Sequence, residues 1–159
     1  MKKVMFYCQH ILGMGHLIRS VEIVKGLIPD FKICFINGGQ VIPEFEFPPE
    51  IEVINIPAVK TDSEFNELCP VDETLSMAEV ESIRIKMLLD TCDRFKPDIL
   101  IVELFPFGRR RFSFELIPLI EKAKTMGTIF VSSVRDIVVT KQNLQRHEEN
   151  VCRLINKYF

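Results

Sequence analysis

The stretch Ile99-Leu-Ile-Val102 constrains this chain most. Four consecutive aliphatic residues stand between Lys96-Pro97-Asp98 and Glu103. A strand with one wet face alternates apolar with polar residues, whereas an unbroken aliphatic run reads as a strand covered on both faces, as in a parallel sheet. Parallel neighbours cannot be joined by tight turns and need crossovers, usually helices. The rest of the chain supplies both parts. Val4–Cys8, Phe31–Ile36, Ile51–Ile56 and Thr128–Val134 are short β-favouring runs, the last a second buried strand. His16–Ile28 carries Leu17, Val21, Val24 and Leu27-Ile28 at helical spacing and stops at Pro29-Asp30. Ser76 and Glu79 fit a capping box. Behind them Met77, Val80, Ile83, Met87-Leu88, Cys92 and Phe95 form one apolar helical face. Ser113–Met126 reads as a helix ended by Gly127, with Pro118 blocking its first turns unless it starts near Leu116. Gln142–Tyr158 is the last helix. Residues 58–75, polar and irregular, read as a long loop. Strands alternating with helices predict an α/β, doubly wound, mainly parallel Rossmann-like sheet of order 3-2-1-4-5.

Composition narrows the function. With 159 residues, 47% of them hydrophobic and 26% charged, the chain is expected to form a single domain with its own core. A net charge of -2 argues against a nucleic-acid binder. No apolar run approaches the roughly 18 residues of a membrane span, and the run after Lys2-Lys3 is too short for a secretory signal. Five cysteines without a C-x-x-C pair suit neither a zinc ribbon nor a disulfide framework, so a reducing cytoplasmic home is expected. No metal site is apparent in the sequence, and no cofactor is expected. Cys8 and Cys34 read as core, His10 and His147 as surface.

Ligands of open parallel sheets sit beyond the carboxyl ends of the strands, where strand order reverses. Here that places the crevice between the first and fourth strands. The loop after the first holds Gly13, Gly15 and His16, and the loop after the fourth holds Glu103, Gly108 and Arg109. Asn37 and Gly38 end the second strand. Arg135 and Asp136 follow the fifth. A dinucleotide fingerprint is excluded, because Ile18 stands where its third glycine belongs and Asn37 where its acidic residue would be. No G-x-x-x-x-G-K-[ST] loop exists either.

His16 in the first turn of a helix meets the positive end of the helix dipole, which disfavours imidazolium and suits a general base. The alternative is a ring that only caps or packs there. Arg19 either holds an anionic ligand or pairs with Glu22 on the surface. Glu103 either orients His16 or is merely the first solvated residue after the strand. In Phe105-Pro-Phe-Gly-Arg-Arg-Arg-Phe-Ser-Phe114 the arginines could grip phosphate or, with the phenylalanines, an anionic membrane surface. Equally, the arginines could be solvated above phenylalanines packed in the core.

Gly13-Met-Gly-His-Leu-Ile-Arg19 after a first strand resembles the opening of two-domain glycosyltransferases of the GT-B fold. The closest subgroup includes the enzyme that adds N-acetylglucosamine to lipid-linked muramyl peptide. Val102-Glu-Leu-Phe-Pro-Phe-Gly-Arg-Arg-Arg-Phe-Ser-Phe-Glu-Leu116 is similar to a bacterial group of predicted glycosyltransferases. The resemblance covers the family's N-terminal, acceptor-binding half. It implies His16 as the base on the acceptor hydroxyl and Gly13 and Gly15 as the loop near the donor phosphates, and it places Glu103 and Arg109 in a second motif. It also implies a nucleotide-sugar donor held by a C-terminal domain absent from this chain, and a last strand missing from the sheet. Either a second, donor-half subunit or a truncated product is then expected. A bare sheet edge would favour a homo-oligomer. Non-catalytic binding or oligomerisation, and nucleotide-sugar hydrolysis, are the competing expectations on the same fold.

Overall fold

The computed structural model describes residues 1–11, 13–61, 67–135 and 144–159, with backbone alone over 144–147. The elements follow in chain order: β1 (Lys2–Cys8), α1 (Gly15–Leu27), β2 (Phe31–Asn37), β3 (Glu52–Asn55), β4 (Val59–Thr61), β5 (Leu68–Pro70), α2 (Met77–Phe95), β6 (Ile99–Glu103), α3 (Ser113–Thr125), β7 (Ile129–Ser133) and α4 (Leu144–Tyr158). Five strands form one sheet in the order β3-β2-β1-β6-β7, and its pairings are parallel. This is the expected doubly wound topology; β6 and β7 are the fourth and fifth strands of the sequence reading.

Strand alternation divides the core. Val4, Phe6 and Cys8 of β1 point to one face, where Leu17, Val21 and Val24 of α1 cover them. Met5 and Tyr7 point to the other, under Val80, Leu88 and Cys92 of α2 and Leu116, Leu119 and Ile120 of α3. Cys8 and Cys34 are core residues, as expected. Burial of Val, Leu, Ile or Phe contributes about 1.5–3 kcal/mol per side chain, so these two layers account for most of the cohesion. The Ser76 capping box is present: its hydroxyl accepts from the Glu79 backbone N–H at 3.3 Å, and the Ser76 N–H donates to Glu79 Oε2 at 2.8 Å.

Several expectations need correction. The segment 58–75 is not simply a loop, because β4 and β5 pair as an antiparallel ribbon from Val59 opposite Pro70 to Thr61 opposite Leu68. Each strand has only three residues, too few to show an alternating pattern. β7 is a half-covered edge strand: Phe130 is buried, but Ile129 is 58% and Val131 37% exposed. On the α1 side no described helix covers it, and Ile99 and Ile101 of β6 are only partly buried there. Pro118 lies inside α3, which nevertheless begins at Ser113. A 3-10 turn over Arg110–Phe112 leads into that helix, so its start does not rest on the hydrogen bond that Pro118 lacks. Ile83 points outward, and the buried row of α2 runs through Arg84 instead. Asp136 and Gln142, singled out in the sequence, lie outside the described residues, as does the His147 side chain.

Candidate active site at the ends of β1 and β6

Glu103 is the last residue of β6. Alternation sends Val102 toward α2 and α3 and therefore Glu103 toward the α1 face. There the first turn of α1 presents His16. Its Nδ1 lies 2.5 Å from Glu103 Oε1, with the ring about one-fifth exposed and the carboxylate fully buried. The N–H at Nδ1 donates to the carboxylate, which leaves Nε2 as the nitrogen available to a ligand. Gly13 takes a positive φ of 69° and turns the chain into the helix. A Cβ at Gly15 would meet nothing within 4 Å, so the helix start stands open to an incoming group.

Two guanidinium groups complete the cluster. Arg19, one turn into α1, donates from Nη1 to Ser133 Oγ at 3.0 Å and from Nη2 to the Val134 carbonyl at 3.1 Å. Its Nη1 is also 4.0 Å from Glu103 Oε1. It does not pair with Glu22, which accepts from Lys25. Arg109 Nη2 stands 3.6 Å from Glu103 Oε2, beyond hydrogen-bond range. As a result Glu103 Oε2 and Arg109 Nε and Nη2 are buried without a hydrogen-bond partner. A buried polar group left unpaired costs about 1–3 kcal/mol.

The turn between β6 and α3 brings Arg109 back over the strand end. Leu104 (φ 64°) and Arg109 (φ 58°) both occupy the left-handed region. Non-glycine residues there carry strain of about 1–3 kcal/mol each, and such strain tends to collect at functional sites. Gly108 N–H closes the turn on the Leu104 carbonyl at 2.6 Å, and Leu104 N–H reaches Ser133 at 3.0 Å. Phe105 and Phe112 are buried beneath it, while Arg110 and Arg111 are exposed. Of the three arginines only Arg109 turns inward.

The structure thus gathers His16, Glu103, Arg19 and Arg109 around the expected crevice. Asn37 and Gly38 go elsewhere, to the β2 side of β1. Asn37 Oδ1 is 3.1 Å from His10 Nε2, and the Gly38 carbonyl accepts from Arg84 at 3.0 Å. Arg135 lies exposed just beyond β7. His10 is not a surface residue: it is only 5% exposed, tucked behind Gly39, where a Cβ would collide with its ring. Burial lowers its pKa, and Arg109 and His16 lower it further against the raising effect of its bond to Asn37.

Sequence reasoning missed a second buried cluster. Arg84 is fully buried and donates to Glu115 from Nε at 2.7 Å and from Nη2 at 2.6 Å. It also reaches Gln9 Oε1 at 2.6 Å and the Pro57 carbonyl at 2.7 Å. Tyr7 donates to Glu115 as well. Burial, then Glu115, raises the Tyr7 pKa well above its ordinary value. The available signal was the arginine between Val80 and Leu88, four residues from each on the buried row of the helix.

No protein-family model matches the sequence, and no curated protein matches it. Solved structures do. UGT2 of Phytolacca americana, in complex with UDP-2-fluoro-glucose and pterostilbene, is 19% identical with a TM-score of 0.52, over 84% of this chain and 30% of that one. MurG of Acinetobacter baumannii is 13% identical with a TM-score of 0.53, over 96% of this chain and 39% of that one. A C-terminal domain of a Pyrococcus furiosus hydrogenase is 13% identical with a TM-score of 0.54, over 85% of this chain and 91% of that one. The fold is the Rossmann-like, mainly parallel α/β fold found in GT-B glycosyltransferases such as UGT2 and MurG. The chain spans well under half the length of the two glycosyltransferases, and the hydrogenase domain shows the same architecture in another setting.

Proposed function

We propose that this chain is the acceptor-binding half of a nucleotide-sugar-dependent glycosyltransferase. The observation that carries the reading is the 2.5 Å contact between His16 Nδ1 and Glu103 Oε1 at the mouth of the crevice. With Nδ1 held by the carboxylate, Nε2 takes the proton of an acceptor hydroxyl as that oxygen attacks the sugar's anomeric carbon. The nucleoside diphosphate leaves with the bonding pair, and Glu103 stabilises the imidazolium that forms. Arg19 and Arg109 add positive charge beside the leaving group's side of the site. The donor itself is held by a separate half, in another domain or another chain. The glycosyltransferase neighbours and the G-x-G-H-x-x-R opening support this division.

The test supplies a donor-binding half to the full chain and follows nucleotide release. His16→Ala and Glu103→Gln should each lower the restored rate, on the order of 10²–10⁴-fold for the histidine. An unchanged rate in His16→Ala would sink the mechanism.

A second reading is a binding or oligomerisation module that uses the fold without catalysis. The exposed Ile129 and Val131 favour it, since apolar residues on one face of an edge strand invite association. It predicts a stable oligomer in light scattering and no affinity for nucleotide sugars. Among the described residues no helix is long and apolar enough to cross a membrane.

A further inference from the structure

A half-open cavity of about 240 Å³ lies beyond the ends of β1 and β2, on the far side of β1 from Glu103. Its walls are apolar at Ile11, Met14, Ile42 and Val59, and polar at His10 and Lys60. Lys60 reaches outward to Glu73 at 3.0 Å, and this exposed pair offsets its charge at the cavity edge. Its volume falls below the roughly 300–1,000 Å³ of drug-sized sites, which suits a single ring rather than an extended molecule.

His10 is held with unusual care for a residue on a cavity wall. Asn37 Nδ2 donates to Asn55 Oδ1 at 2.9 Å, which turns Asn37 Oδ1 toward His10 Nε2 at 3.1 Å. Nε2 therefore carries the proton, and Nδ1 is an acceptor. Gly39 packs against the ring and fixes its plane. Burial keeps the imidazole in its neutral form by lowering its pKa. Among the described residues Nδ1 has no hydrogen-bond partner, and it is not one of the sealed polar atoms.

We infer that this cavity binds an uncharged ring bearing a hydroxyl, of sugar or phenol type, and that His10 reads the hydroxyl through Nδ1. The apolar walls cover the ring and His10 gives a directional contact from a fixed position, with the exposed Gln40 also on the lining. If the proposed function holds, the ring belongs to the acceptor, because Gly13 and Met14 lead from this wall straight to His16. Binding itself requires nothing of His16.

The experiment titrates the full chain separately with methyl β-glucopyranoside and 4-methylphenol while following the imidazole nitrogens of His10 by NMR. One probe should give a saturable shift at His10 Nδ1, and which one does so identifies the source of the ring. His10→Phe, followed through the backbone amide shifts of the cavity wall, should weaken that binding about tenfold, the value of one hydrogen bond. Ile42→Trp, outside the hydrogen-bonded relay, should fill the cavity and abolish binding in a protein that still unfolds cooperatively on heating. Silence at His10 with both probes, or equal affinity in His10→Phe, would overturn the inference. His16→Ala should bind the probe normally, and an unchanged rate of turnover in that variant would refute the catalytic reading while leaving this one standing.

Discussion

Two buried carboxylates, one on each face of the sheet, meet arginines in opposite ways. Glu115 accepts from Arg84 through both oxygens, and Arg84 spends its remaining donors on Gln9 and the carbonyls of Gly38 and Pro57. Glu103 faces Arg109 across 3.6 Å with orphaned atoms on both sides. The first cluster is saturated and has nothing to offer a ligand. The second keeps donors and an acceptor unspent beside a strained turn, where a ligand could satisfy them. Buried ionic groups mark a site only when their hydrogen bonds are incomplete.

That contrast predicts opposite outcomes for one substitution. Arg84→Met should cost about 3–5 kcal/mol in urea unfolding, because it strands Glu115 without its partner. The double variant Arg84→Met with Glu115→Leu should recover much of that loss, since an apolar pair replaces the ions. Ser76→Ala, remote from both clusters, should cost about 1 kcal/mol through loss of the helix cap and serves as the ruler. Arg109→Met should fall below that ruler, neutral or slightly stabilising, because it removes two sealed, unbonded nitrogen donors. Equal losses for Arg84→Met and Arg109→Met would erase the distinction. The smallest effect is the pH response of His10. Its pKa is lower folded than unfolded, so its contribution is complete above the ordinary histidine value. Stability should decline as pH falls from there to the folded pKa, and the slope should flatten in His10→Phe thermal melts.

The sheet was legible because aliphatic runs and their breaks mark a parallel fold directly. His16 and Glu103 were legible as neighbours because topology places the ends of the first and fourth strands together. The buried Arg84 was not, since an arginine reads as polar until its partners, contributed by β1, α3 and two loops, are in place. His10 failed for a related reason: only the packing of Gly39 and the Asn37–Asn55 pair shows that its ring is inside. The exposure of Ile129 and Val131 was also hidden, because an apolar strand carries no mark of how many helices lie over it.

Arg84 grips the loops at Gly38 and Pro57 by their carbonyls, not by their side chains. Main-chain oxygens are common to every amino acid. The residues that face the cavity between these anchors, such as Gln40 and Ile42, can therefore be exchanged while the scaffold stays in register. Ligand preference can drift in such a molecule over evolutionary time without the sheet having to be rebuilt.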